Sequence, residues 1–104
     1  MTLPLEGIRT LDLSAFMPGN YPTMLLAEMG ADVIRVETTG MQSMVCEWVH
    51  KEPVTPEIEE RWRAHNSVNR NKRSIVLNLG SETAKEVFLR LAKKSDVVVE
   101  SNRL

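Results

Sequence analysis

The sequence is short of the residues that staple, stack or strongly charge a protein. Cys46 is its single cysteine, so no disulfide can close within the chain. Glycine and proline number five each among 104 residues, too few for a collagen-like or low-complexity chain, and aromatic residues make up only 5%. Neither sign of charge is in excess: 13 Lys and Arg stand against 14 Asp and Glu, with a pI near 6.1. That balance removes the broad attraction that nucleic acid or an anionic membrane surface would need, so any anion must be held locally. Also missing is an apolar run near the roughly 20 residues of a spanning helix. Met1 to Gly7 shows no basic stretch followed by an apolar one, the mark of a secretory leader. A cytoplasmic, reduced setting with no nucleic acid and no membrane partner is the expectation. What is present, 42% hydrophobic and 26% charged residues, suits one globular domain with a real core and no room for two.

Ile8-Arg9-Thr10-Leu11-Asp12-Leu13 lies between Gly7 and a small-residue loop from Ser14, and its apolar content predicts a buried strand. Pro18-Gly19-Asn20 then breaks the chain. Asn20 is the expected N-cap of a helix from Tyr21 to Met29, with Pro22 in a first turn where its missing donor costs nothing, and Gly30 is the left-handed stop. Asp32 to Glu37 reads as the next strand, which makes a βαβ unit, a right-handed crossover and a parallel sheet. From Thr38 to Arg73 the pattern weakens, leaving one helical turn from Pro56 to Ala64 in which Ile58 and Trp62 share a face. Ser74 to Leu79 is a third strand. Ser81 caps a helix from Glu82 to Lys94 with an apolar stripe of Val87, Phe88, Leu91 and Ala92. Asp96 to Glu100 is a fourth, β-branched strand that calls for further cover on its faces. The expected fold is therefore an α/β, Rossmann-like parallel sheet with crossover helices, incomplete within these residues.

A sheet of this kind binds its ligand at the carboxyl ends of the strands, where Ser14 to Asn20 lies. The loop is not GxGxxG; Phe16 and Met17 obstruct the backbone approach that a dinucleotide phosphate requires, although Glu37 occupies the ribose-binding acid position. Asn69-Arg70-Asn71-Lys72-Arg73 places three cations before the third strand, either as a solvated basic loop or as a phosphate site. Arg103 adds one at the end of the fourth strand. Cys46, His50 and His65 lack a convincingly spaced fourth metal ligand, so unconnected loop residues are the favoured reading and no metal is expected.

Three blocks carry a family resemblance: Leu5 to Ser14 (LEGIRTLDLS), Met24 to Glu37 (MLLAEMGADVIRVE) and Asn69 to Leu79 (NRNKRSIVLNL). In this order they resemble the amino-terminal segment of family III CoA-transferases, the group of formyl-CoA transferase, carnitine CoA-transferase and α-methylacyl-CoA racemase. The resemblance implies that residues 1–104 are the first part of a CoA-binding large domain, the rest of that domain and a small domain lying beyond them. It implies interlocked homodimers, acyl-CoA and carboxylic acid as substrates, coenzyme A as substrate and no tightly bound cofactor. The family nucleophile is an aspartate beyond Leu104. Asp12, Asp32 and Asp96 do not match it, no catalytic residue is assigned within the chain, and the chain alone is expected to be inactive. The carried-over CoA site comprises Phe16, Met17 and Pro18 along the pantetheine and thioester, Val76, Leu77, Asn78 and Leu79 beside the adenosine, and Lys72, Arg73, Ser101 and Arg103. Thr38 and Gly80 stand where many members have Arg and Lys, which leaves phosphate binding to the remaining cations. An acyl-CoA racemase or epimerase and a non-catalytic binding remnant are the alternative readings.

Overall fold

The computed structural model describes residues 2–14, 17–38, 55–57, 59–60 and 66–101. Strands β1 (Arg9–Asp12), β2 (Asp32–Glu37), β3 (Arg73–Val76) and β4 (Val97–Val99) are joined in part by helices α1 (Met17–Glu28) and α2 (Glu82–Lys93), and a 3-10 turn at Asn66–Asn69 leads into β3. The strands form one sheet in the order β3-β2-β1-β4, parallel throughout. The α/β Rossmann-like reading is therefore correct.

Residues level with one another in a parallel sheet share a face. Asp12 is level with Arg35, and Thr10 with Val33, so β1 and β2 present these four to one side and Leu11 and Ile34 to the other. Leu11, Val33 and Val36 are buried, each such aliphatic side chain contributing roughly 1.5 to 3 kcal/mol. Val33 packs with Ala27 and Ala31 at the end of α1, and Leu5 and Leu26 close over them. Gly30 has φ 102°, and its N–H donates to Ala27 O while the N–H of Ala31 donates to Leu26 O. This pair of bonds is the Schellman stop, and it turns the chain directly into β2.

One helix start and one capping bond differ from expectation. α1 begins at Met17, so Asn20 lies within its first turn and does not cap it: the Asn20 side chain accepts from Arg35 Nη1 at 2.6 Å instead. A tertiary ion outcompetes the local amides. Pro22 consequently falls well inside the helix. At α2, Ser81 has the extended backbone of an N-cap, but its side chain makes no capping bond. β3 ends at Val76, before the expected Leu79, because Asn78 Oδ1 accepts the N–H of Gly80 at 3.1 Å and curls the chain into a turn. Pro56, Glu57, Glu59 and Glu60 are helical as expected; Ile58, Trp62 and Ala64 lie outside the described residues. No described residue of α2 is fully buried, and Val97 and Val98 are 39% and 49% exposed, so the sheet is thinly covered at β4.

Candidate functional site

The strand order reverses at β1. The chain leaves β1 toward β2 on one side, while β4 lies on the other, so the strand order switches direction between β1 and β4. In open α/β sheets the carboxyl side of such a switch point is where ligands are received. The edge is knitted by Leu13 N–H donating to Val99 O at 2.8 Å.

Beneath this edge lies a polar cluster whose charges are withdrawn from water. Asp12, the last residue of β1, has 0% exposure. Its Oδ1 accepts the N–H of Ser14 at 2.9 Å and the Ser14 hydroxyl; its Oδ2 accepts Thr23 Oγ1 at 2.7 Å and Lys72 Nζ at 2.8 Å. Four donors fill the carboxylate's four acceptor sites. Arg35 Nη1 lies 3.7 Å from Asp12 Oδ2 and donates to Ser14 O at 3.1 Å, while its Nε reaches Glu37 Oε1 at 3.3 Å. Lys72 Nζ also donates to Asn20 O at 3.0 Å and Asn69 Oδ1 at 3.2 Å, with only 1% of its side chain exposed.

Burial pushes the Asp12 carboxyl up, but hydrogen bonds from Lys72, Ser14 and Thr23 together outweigh it and hold the group below its ordinary value of 3.8. Burial likewise pulls the Lys72 ammonium down, opposed by Asp12. A carboxyl whose folded pKa is depressed stabilises the fold above its unfolded pKa, and that contribution disappears as pH falls through the folded value. Stability should therefore decline from about pH 5 downward, and Asp12→Asn should flatten the decline. Urea denaturation at stepped pH checks this; an equally steep acid limb in the variant would exclude Asp12 as its source.

The family-matched residues are distributed unevenly around this edge. Met17 and Pro18 open α1 beside the switch point, and Ser101 follows β4, exposed. Val76, 60% exposed, closes β3, separated from β1 by β2; Leu77 is tied to β2 through its N–H to Glu37 O at 2.8 Å, and Asn78 and Leu79 enter the turn before α2. Lys72 is enclosed in the polar cluster. Arg73 is held at the opposite, amino-terminal edge, where its Nε and Nη2 grip Asp32 at 2.8 and 2.6 Å and Arg9 Nε joins at 2.8 Å. Burial raises the Asp32 carboxyl, and the hydrogen bonds and charges of Arg73 and Arg9 together outweigh it and hold the group below its ordinary value. Phe16, Arg103, Cys46, His50 and His65 lie outside the described residues, among which no group of three or more His, Cys, Asp or Glu could hold a metal.

Sequence reasoning missed Ser14, Asn20, Thr23 and Arg35 as one unit with Asp12. A usable signal existed: Thr10, Asp12 and Arg35 are polar residues inside strands otherwise read as buried, and Asn20 and Thr23 are three apart on one helix face.

Residues 5–104 match the model of CoA-transferase family III. The chain belongs to this family. It is similar to the succinyl-CoA:mesaconate CoA-transferase of Haloarcula marismortui, 44% identical over 93% of this chain and 24% of that protein. It is also similar to the formyl-CoA:oxalate CoA-transferase of Escherichia coli O139:H28, 36% identical over 97% of this chain and 23% of that protein. Among solved structures, a hypothetical protein from Mycobacterium tuberculosis superposes with a TM-score of 0.72 at 32% identity, covering 97% of this chain and 26% of that one. The chain thus spans about a quarter of the length of each of these proteins.

Proposed function

We propose that the protein carrying these residues transfers CoA between an acyl-CoA thioester and a carboxylic acid. Residues 1–104 then form the amino-terminal part of the CoA-binding large domain of an interlocked, cytoplasmic homodimer. The observation that carries this reading is the family III match across residues 5–104, in which both named relatives are CoA-transferases. The switch in strand order between β1 and β4 supports it, because open α/β sheets receive ligands at the carboxyl side of such a point. In this reading Phe16, Met17 and Pro18 run along the pantetheine and thioester, Val76, Leu77, Asn78 and Leu79 flank the adenosine, and Ser101 and Arg103 approach from β4. No tightly bound cofactor takes part.

Transfer by this family's covalent route needs a carboxylate free to attack the thioester. The described aspartates are engaged otherwise: Asp12 is buried with four donors, Asp32 is gripped by two arginines, and Asp96 Oδ2 accepts the N–H of Arg9 at 2.8 Å. Residues 1–104 alone should show no transfer from succinyl-CoA to mesaconate or from formyl-CoA to oxalate. The product of the complete reading frame should catalyse CoA transfer with an acid of this kind and bind CoA. Chromatographic detection of the new thioester decides between them. Turnover by residues 1–104 would place a nucleophile inside this chain. Epimerisation of an α-methylacyl-CoA without transfer would assign the complete product to the racemase branch, and no CoA binding at all would leave a non-catalytic remnant.

A further inference from the structure

Helix α1 is patterned against the usual sense of a surface helix. The side turned to the sheet carries Asn20, Thr23, Met24 and Ala27, all buried, and its two polar members are taken up by Arg35 and Asp12. The opposite side carries Pro18, Tyr21, Pro22, Leu25 and Met29, all exposed, with Glu28 as the one charged residue of the helix. That charge already has a partner, since Glu28 Oε1 accepts from Arg70 Nη2 at 2.8 Å. Met29 continues the outer row because its N–H still donates to Leu25 O at 3.0 Å. Tyr21, Leu25 and Met29 are spaced by four and form one ridge, and Pro18 and Pro22 form a second beside it. Leu3 lengthens the apolar face: the Leu5 N–H donates to Met29 O at 3.0 Å, and Leu3 lies so close over Gly30 that a Cβ added there would stand 2.5 Å from its own. Leu3, Tyr21, Leu25 and Met29 are each 38% to 49% exposed. A helix at a water boundary turns its polar residues outward; one that is apolar on the outer side as well has protein on both sides.

We propose that the outer face of α1 is an intramolecular docking surface, covered by the apolar face of a helix that the same chain supplies from beyond Leu104. With Glu28 already paired, the face offers no free charge to an ionic partner, so its occupant is apolar. Two adjacent ridges with a spacing of four leave the groove that receives a ridge of another helix, at a crossing angle of roughly −50°. The length of the family supplies the occupant, because the chain covers 24% of one named CoA-transferase and 23% of the other. A tethered segment also docks without the loss of translational freedom that a separate partner must offset. The proposal rests on the reading of residues 1–104 as part of a larger domain, and it does not depend on CoA.

The test uses the product of the complete reading frame, with the photoreactive residue p-benzoylphenylalanine placed in turn at positions 21, 25 and 29. After irradiation the linked protein should run as a single chain on a denaturing gel, and mass spectrometry of its peptides should join the α1 peptide to one from beyond Leu104. In parallel, Leu25→Cys should react with a maleimide at least about tenfold more slowly in the native protein than in urea, because the reagent must wait for the cover to open. A link that doubles the mass of the chain would make the face an interface with a second copy or another protein and overturn the proposal. So would a link confined to residues 1–104, no same-chain link from any of the three positions, or a native labelling rate equal to that in urea. Neither readout needs catalysis. A product that links as expected but transfers no CoA therefore leaves the docking surface standing and defeats only the transferase reading, whereas a reading frame that stops at Leu104 defeats the larger-domain reading and the proposal together.

Discussion

Lys72→Met is expected to cost the fold roughly 3 to 5 kcal/mol, read as a lower urea midpoint with an unchanged slope. The magnitude follows from what remains behind. Methionine fills much of the space of the lysine stem, so little packing is lost, but Asp12 is then a carboxylate at 0% exposure whose Oδ2 has lost its charged partner. The Ser14 and Thr23 donors continue to favour its ionised form, and Arg35 at 3.7 Å is too distant to replace a 2.8 Å ammonium. Asp12→Asn/Lys72→Met removes both charges and should recover most of the loss, because a neutral pair of similar volume carries no comparable desolvation penalty. A single variant within about 1 kcal/mol of the parent would show that water or another cation reaches Asp12.

Gly19→Ala should destabilise at the upper end of about 1 to 3 kcal/mol, although alanine is the better helix former by roughly 1 kcal/mol. A Cβ at residue 19 would stand 2.2 Å from Ser14 Cβ and 2.8 Å from Ser14 Oγ, far inside ordinary contact. Ser14 has little freedom to withdraw: it is buried, its N–H is held by Asp12 and its carbonyl by Arg35. The first turn of α1 must therefore lift away from β1. This glycine permits close contact between helix and strand, the contact that also brings Thr23 to Asp12. Thermal denaturation checks the prediction; a variant as stable as the parent would mean that α1 can slide without disturbing the cluster.

Much of this architecture is legible in the sequence. Both ends of Asp32 to Glu37 agree with the sequence reading, since three β-branched residues interrupted only by Arg35 and bounded by Gly30 and Thr38 leave few alternatives. α2 began where Glu82 follows Ser81, and ended within a residue of expectation. The start of α1 was misplaced because Asn20 suits a cap chemically, and only the arrival of Arg35, fifteen residues away, recruits it for something else. In sequence, the basic block suits either a solvated loop or a phosphate site. Both alternatives treated its cations as outward-facing, whereas Lys72 meets an acid 60 residues earlier and Arg73 one 41 residues earlier. Such pairings depend on strand order, and local periodicity carries no information about which distant strands become neighbours.

The place of β1 in the sheet also has a consequence for the order of events during synthesis. It is made before the other three described strands, yet it stands between β2 and β4, and Thr10 is level with Val97. At about 5 to 20 residues per second, the ribosome delivers that partner roughly 4 to 17 s after β1 has been made. Through that interval one side of β1 presents unpaired amides and carbonyls, while β2 can dock early after only a short crossover. Closure of the β1–β4 ladder, and with it the bond between Arg9 and Asp96 across 87 residues, is thus a late step by topology alone. The nascent chain is most open to mispairing along the same strand whose carboxyl end borders the switch point.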